Sequence, residues 1–302
     1  MKTNLKAALT GISGILVTPF DGNDTIAPLR LRPIIDRAIG AGVHILVANG
    51  NTGEFYGLAI EEAEVMARSV VEQVDGRVPV VAGAGRSAGD ACRLARSAKA
   101  AGASAIMVHQ PPDPFVAPRG VVAYVKRVAD AADGLPVVLY LRNDGIGIDC
   151  IADLCAIDGV VGVKWVTPNP LRLAAAVAAS NPAISWVGGL AEVWAPPLCA
   201  VGARGFTSGL INVWPERSVA IHGALDAGNY AEANALIAGM RAFEDVRAEE
   251  QNGANVTGVK SALALQGFDC GHVRPPSAWP LTVQQSARLR QFMEQNNLMG
   301  KS

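Results

Sequence analysis

Short apolar runs alternate with longer segments of helical spacing along the whole chain, and this alternation limits the folds available to it. Each run is too short for a helix, is rich in β-branched residues and ends at turn-forming residues. Continuous apolar runs of this kind are typical of strands buried on both faces of a parallel sheet. Eight such runs occur, at 14–20, 44–50, 78–85, 105–110, 135–142, 160–166, 184–189 and 204–210.

The segments between these runs have the composition and spacing of amphipathic helices, for example 59–76 and 86–103. A strand and helix order repeated eight times favours an α/β fold, a closed (β/α)8 TIM barrel, over an open doubly wound sheet. We predict this barrel for residues 1–226. After residue 214 only helical patterns follow, so we predict that 227–302 form a C-terminal helical region packed on the barrel, called here the annex. Its helical segments, with the last barrel helix, are expected at 215–226, 229–250, 254–267 and 281–296.

Charge and cysteine content narrow the classes of partner. The formal net charge is −1 and no run of Lys and Arg occurs, which argues against nucleic-acid binding and favours a small-molecule ligand or a protein partner. The five cysteines are scattered and none forms a CxxC pair, so neither a disulfide framework nor a zinc knuckle is indicated. The sequence contains no long uninterrupted apolar run, so a membrane partner is not indicated. We expect a cytoplasmic protein, the alternative being that the first residues form a signal peptide.

Lys164 stands in the middle of the apolar run VVGVKWV. A buried ammonium is costly unless it is paired, so its pKa falls and the neutral amine becomes a nucleophile suited to Schiff-base formation with a ketone or aldehyde. The alternative is a lysine that reaches the barrel rim or pairs with a carboxylate. We expect the other six lysines to be solvated, since they lie near the termini or in helical segments: Lys2, Lys6, Lys99, Lys126, Lys260 and Lys301.

Other polar residues are expected at the same mouth, because barrel enzymes place their chemistry at the C-terminal ends of the strands. Tyr140 ends the preceding strand and can relay protons as a general acid and base, or simply pack. In the turn GNTGEF, Asn51 and Thr52 with backbone N–H groups can hold a carboxylate, or the turn is an ordinary connection. For His109 a substrate hydrogen bond and a structural role are both open.

Taken in order, these segments resemble the dihydrodipicolinate synthase and N-acetylneuraminate lyase superfamily of Schiff-base lyases, over nearly the whole chain. GILVTPF resembles its opening strand, GNTGEF its GTTGE turn, VVLYLRN its tyrosine strand and GVKWVT its lysine strand. The resemblance implies that Lys164 is the Schiff-base lysine, that Tyr140 relays protons, and that Asn51 and Thr52 hold the carboxylate of a 2-keto acid. Asn51 replaces the first threonine of the family turn.

Two further stretches indicate one group of enzymes within the superfamily. YLRND (140–144) and the VRPP ending of 255–276 are similar to 5-dehydro-4-deoxyglucarate dehydratases, although Leu141 replaces an asparagine. The resemblance implies that Arg142 holds a distal carboxylate or hydroxyl of a sugar acid, the alternative being a salt bridge at the rim. HQPPDPF (109–115) lacks the paired tyrosines that dihydrodipicolinate synthases carry there, which weakens a lysine-pathway role.

The ends of the last two strands, GGL (188–190) and FTSG (206–209), also resemble the superfamily. The resemblance implies that Gly189 leaves room for substrate and that Ser208 donates a hydrogen bond to it. Glycine at such a position also follows from backbone packing alone.

The function implied is a lyase that dehydrates a 3-deoxy-2-keto sugar acid through a lysine Schiff base. A pyruvate-dependent aldolase and a dihydrodipicolinate synthase are alternatives, since all three share the same iminium intermediate. Two alternatives belong to other functional classes. One is a phosphate- or flavin-binding barrel, which GAGRS (83–87) and FTSG suggest as anion-binding turns, and the other is a non-catalytic keto-acid sensor. No cofactor or metal is expected, because the four histidines are far apart in sequence. The resemblance implies a homo-oligomer, a tetramer or a dimer.

Overall fold

Eight parallel strands close into a barrel in the order of the chain. The computed structural model describes residues 4–113 and 115–300, so Lys2 and Lys301 lie outside the described residues. The predicted (β/α)8 TIM barrel with a C-terminal helical region is confirmed. The strands are β1 (Ile12–Ile15), β2 (Ile45–Ala48), β3 (Val80–Ala84), β4 (Ala105–His109), β5 (Val137–Leu141), β6 (Val160–Trp165), β7 (Ser185–Gly188) and β8 (Gly205–Ser208).

Helices connect the strands and form the annex. None of the described helices is long and apolar enough to cross a bilayer. Those of the barrel are α1 (Leu5–Ala8), α2 (Arg32–Ala41), α3 (Ile60–Val74), α4 (Ala88–Ala100), α5 (Pro118–Ala132), α6 (Ile148–Cys155), α7 (Pro170–Ala179), α8 (Ala195–Cys199) and α9 (Pro215–Asp226). Those of the annex are α10 (Tyr230–Ala238), α11 (Arg241–Ala248), α12 (Asn255–Leu265) and α13 (Val283–Gln295).

The strands are apolar throughout because both of their faces are buried. One face packs inside the barrel, where Val47, Val81 and Met107 belong to a single apolar cluster. The other face, including Ile106 and Leu139, packs against the surrounding helices in the main core. Burying each such side chain stabilises the fold by roughly 1.5–3 kcal/mol. Barrel enzymes place their active sites at the C-terminal end of the strands, so the polar side chains at that end are the candidates here.

The register of three neighbouring strands brings polar side chains together at that end. His109 on β4 is paired with Tyr140 on β5, and Tyr140 is paired with Lys164 on β6. Paired residues of parallel strands point to the same side of the sheet. A row of imidazole, phenol and amine therefore crosses the inside of the barrel.

Two predicted elements differ from the structure. The first strand covers Ile12–Ile15 instead of 14–20. The N–H of Leu16 still bonds to the Val47 carbonyl of β2 at 3.1 Å, but the chain then leaves the barrel, and the N–H of Phe20 bonds to the Cys270 carbonyl of the annex at 3.0 Å. The single helix predicted at 229–250 is two helices, α10 and α11, separated at Met240. Met240 is fully buried, and the bend lets α11 pack against α12 and α13. Hydrophobic periodicity alone does not show such a bend.

Lys260 contradicts the prediction that it is solvated. It is 1% exposed on α12, and its ammonium lies 2.7 Å from the carboxylate of Glu54 in the turn after β2. The same Nζ donates to the His272 carbonyl at 2.6 Å and lies 4.4 Å from the Phe20 ring centroid. Burial lowers the pKa of Lys260 and Glu54 opposes that shift. The annex is thus anchored to the barrel mouth by a buried ion pair.

Replacing Lys260 should be severely destabilising. In Lys260→Ala the Glu54 carboxylate stays buried without its partner, and we expect the free energy of unfolding to fall by about 3–5 kcal/mol in urea denaturation. The control is Lys126→Ala, which removes an exposed pair with Asp130 and should cost at most about 1 kcal/mol. Equal small losses for the two variants would contradict a structural role of the buried pair.

Candidate active site

A cavity of about 820 Å³ opens at the C-terminal end of the barrel. Its barrel wall includes Lys164, Tyr140 and Thr52, and its opposite wall comes from the annex, including Arg247 and Asn255. A cavity of this size is in the range of small-molecule sites. The site is therefore built jointly by the barrel and the annex.

Lys164 lies at the floor of this cavity. The residue is 5% exposed, its Nζ is 4.1 Å from the ring centroid of Tyr140, and no carboxylate of the described residues lies within salt-bridge distance of it. Burial, with a smaller contribution from the charge of Arg142, lowers the pKa of Lys164 to about 7. A large fraction of the amine is consequently neutral near neutral pH, as a nucleophilic lysine requires.

Tyr140 is 1% exposed and is fixed by Asn51. The amide Nδ2 of Asn51 donates to the phenol oxygen at 2.8 Å. Burial raises the pKa of Tyr140, so the phenol keeps its proton. Because its oxygen accepts from Asn51, its own O–H can donate toward the cavity. A carboxamide has no proton to exchange at ordinary pH, so Asn51 orients Tyr140 but does not extend a proton relay as a hydroxyl would.

The turn that carries Asn51 and Thr52 is held from three sides. Thr18 donates its hydroxyl to the Gly53 carbonyl at 2.7 Å. Glu54, in the left-handed region with φ 57°, forms a salt bridge with Lys260 and accepts a hydrogen bond from the backbone N–H of Arg274 at 2.8 Å. Asn51 and Thr52 open a one-turn 3-10 helix, whose first N–H groups have no acceptor inside it. The turn therefore presents N–H donors and the Thr52 side chain on a rigid support.

Arg142 lies at the rim of the cavity and is solvent-exposed. Its backbone N–H and that of Asn143 both donate to Oε1 of buried Gln110, each at 2.8 Å. Its guanidinium lies 5.8 Å from the ring centroid of Tyr56. Among the described residues no carboxylate pairs with it, so the predicted alternative of a rim salt bridge is not what the structure shows.

Of the two residues predicted at the last strand ends, Gly189 lines the cavity and Ser208 points away from it. Gly189 lines the cavity, and a Cβ there would lie 2.4 Å from Cγ2 of Val166 and 3.0 Å from Cγ of Lys164, so only glycine lets the chain run along the lysine stem. Ser208 is fully buried and donates to Oε1 of Glu192 at 2.5 Å. The predicted hydrogen bond from Ser208 to substrate is therefore corrected: its hydroxyl is occupied behind the wall, where burial raises the pKa of Glu192 to about 7.

Several residues of the site were missed in the sequence. Tyr56 lines the cavity, and its position directly after the turn GNTGEF is a sequence signal that could have identified it. Arg247 is held by Oδ1 of Asn255 at 2.7 Å and by Glu244, and its guanidinium lies so close to Gly209 that a Cβ there would be 2.4 Å away. Nothing near residue 247 in the sequence indicates this contact.

The fold and the site together define a class of protein: a (β/α)8 barrel in which a lysine on strand six, paired with no carboxylate of the described residues, lies beside a buried tyrosine on strand five. The comparisons with known proteins identify the family. The sequence model of the dihydrodipicolinate synthetase family matches residues 8–296. The chain belongs to this family and is a lyase.

Individual relatives cover nearly the full chain. A probable 5-dehydro-4-deoxyglucarate dehydratase 1 of Streptomyces avermitilis is 33% identical, over 94% of this chain and 95% of that protein. A 4-hydroxy-tetrahydrodipicolinate synthase of Methanosphaera stadtmanae is 30% identical, over 96% and 99%. The crystal structure of dihydrodipicolinate synthase from Bacillus clausii superimposes with a TM-score of 0.93 at 34% identity, over 98% and 100%. These relatives carry two different activities in their names.

The depressed pKa of Lys164 can be measured in the free protein. Competitive acylation followed by peptide mass spectrometry should show the reactivity of Lys164 rising with pH around a midpoint near 7, with the exposed Lys126 as internal reference. In Arg142→Leu the midpoint should move to higher pH, because a neighbouring positive charge that disfavours the ammonium has been removed. An unchanged midpoint in that variant would contradict the electrostatic contribution of Arg142.

Proposed function

We propose that this protein is a Schiff-base lyase that dehydrates a 3-deoxy-2-keto sugar diacid. The observation that carries the proposal is the Lys164 amine beside Tyr140, with the Arg142 guanidinium at the rim of the same cavity; no carboxylate of the described residues pairs with either group. The similarity to a dehydratase supports this choice of substrate class. The similarity to a synthase supports the alternative, a condensation that starts from the same kind of keto acid.

In the first step the substrate carboxylate lies on the turn at Asn51 and Thr52, which places the C2 ketone near Lys164. The neutral amine adds to C2 and gives a carbinolamine. Tyr140 donates its proton to the departing hydroxyl, water leaves and a protonated Schiff base forms. The resulting tyrosinate is stabilised by the Asn51 amide and by the positive charges of the iminium and of Arg142.

In the second step the iminium acts as an electron sink. The C3–H bond breaks, its proton passes to the Tyr140 phenolate, and its electron pair forms an enamine. The enamine then expels the C4 hydroxyl, which leaves as water with a proton from Tyr140, and a conjugated iminium results. Hydrolysis returns Lys164 as an amine. Water has been lost across C3 and C4, with no oxidant or reductant required.

The charges around the cavity favour a diacid. Three of the arginines that line it are paired: Arg241 with Asp245, Arg247 with Glu244 and Arg274 with Glu62. Arg142 lines the same cavity without such a partner among the described residues. A guanidinium can hold a carboxylate through two parallel hydrogen bonds. We therefore assign the distal carboxylate of the substrate to Arg142.

The phosphate- or flavin-binding alternative loses support, because its candidate nests are occupied by the protein itself. In GAGRS, the guanidinium of Arg86 donates to the carbonyls of Phe55 and Leu58, and the hydroxyl of Ser87 caps α4 by accepting from the Asp90 N–H at 3.1 Å. In FTSG, Ser208 is committed to Glu192.

Product analysis tests the proposed reaction. With 4,5-dihydroxy-2-oxohexanedioate as substrate, proton NMR should show loss of water and no release of pyruvate, and Lys164→Ala should be inactive. Tyr140→Phe should lower kcat by about 10²- to 10⁴-fold, because the general acid is lost. The control is Tyr124→Phe, a partly buried residue whose hydroxyl donates to the Arg86 carbonyl outside the site. Release of pyruvate would contradict dehydration and favour the aldolase alternative.

A further inference from the structure

Tyr56 and His109 form a pair beside the reacting groups that the proposed reaction does not use. Tyr56 lines the cavity and is 39% exposed. His109 is fully buried behind it, with its Nδ1 3.4 Å from the Tyr56 hydroxyl. The imidazole also contacts the Tyr140 ring, with 4.8 Å between centroids. The two phenols of the site thus flank one histidine.

A backbone carbonyl decides which residue of this pair donates the hydrogen bond. Nε2 of His109 lies 3.2 Å from the Asn49 carbonyl, which can only accept, so Nε2 carries the ring hydrogen. Burial, and then the charge of Lys164, lower the pKa of His109 to about 3, so the ring is neutral. Nδ1 is then a bare acceptor, and the Tyr56 hydroxyl must be the donor of their hydrogen bond.

Tyr56 therefore presents an acceptor to the cavity. Its proton is committed to His109, so its oxygen can only accept further hydrogen bonds. Arg142 lines the same cavity, and its guanidinium, as a charge and as a hydrogen-bond donor, opposes the rise in the Tyr56 pKa that burial causes. Tyr140 has the opposite arrangement, since its oxygen accepts from Asn51 and its O–H is free to donate. One wall of the site accepts and the neighbouring wall donates.

A hydroxyl group is the ligand that satisfies both walls, because it donates one hydrogen bond and accepts others. A methylene or a carboxylate cannot donate to Tyr56. We propose that Tyr56 is a specificity-determining residue, held as an acceptor by His109, that selects 2-keto acids bearing a hydroxyl on the carbon chain beyond C3. This inference rests on the proposed function and adds to it which part of the chain recognises the substrate hydroxyls.

The test compares two diacids that differ only in their hydroxyls. The substrate 4,5-dihydroxy-2-oxohexanedioate is followed by kcat/KM, and 2-oxohexanedioate, which can form the iminium but has no hydroxyl to lose, is followed by its inhibition constant. Tyr56→Phe should lower kcat/KM about tenfold, the effect of one lost hydrogen bond, and leave the inhibition constant within about twofold. Tyr230→Phe, a tyrosine of matched exposure (37%) on α10 that does not line the cavity, should change neither.

His109→Phe provides a second test of the same pair, because it frees the Tyr56 hydroxyl to turn and donate. It should lower kcat/KM for the hydroxylated diacid while the inhibition constant and the borohydride-trapped pyruvate adduct on Lys164 stay unchanged, a split that a general loss of structure would not produce. Equal losses for both diacids, or no loss in Tyr56→Phe, would overturn the inference. Absence of any adduct in the unaltered protein would overturn the proposed function itself.

Discussion

The site depends on the Lys164 amine, which the fold removes from water and which no carboxylate of the described residues pairs with. Among the lysines that the structure describes, two are buried, and their surroundings separate their roles. Lys260 meets Glu54 at 2.7 Å and serves as a structural cation. Lys164 meets the face of Tyr140 and the distant charge of Arg142, so burial shifts its equilibrium toward the free amine. In the proposed mechanism, the lack of a carboxylate partner among the described residues is what leaves Lys164 free to react.

The structural lysine supports the reactive one indirectly. Glu54, the partner of Lys260, lies in the same turn as Asn51 and Thr52, and the backbone N–H of Arg274 in the annex donates to the same carboxylate. Asn51 in turn orients Tyr140. The annex thus takes part in the geometry of the barrel mouth, in addition to closing one wall of the cavity. Burying this ion pair costs free energy, but it holds the hydrogen-bond donors of the turn in place on a connecting segment of a kind that is usually mobile.

Features that depend on local pattern were predictable from the sequence. The eight buried strands, Lys164 within one of them and Tyr140 at the end of its neighbour all follow from runs of adjacent residues. The direction of Ser208 and the burial of Lys260 were not predictable. Ser208 ends a strand at the mouth but turns to Glu192, and Lys260 lies on a helix that is buried on most sides, so its periodicity marks no solvent face. Both depend on contacts between segments remote in sequence.

The central claim, that Lys164 is the reacting amine, is tested most directly by mass spectrometry. The protein is incubated with pyruvate, reduced with borohydride and digested. The account predicts one reduced pyruvyl adduct per chain, on the peptide containing Lys164, and none on the buried but paired Lys260. An adduct on another lysine, or no adduct with any 2-keto acid, would contradict it.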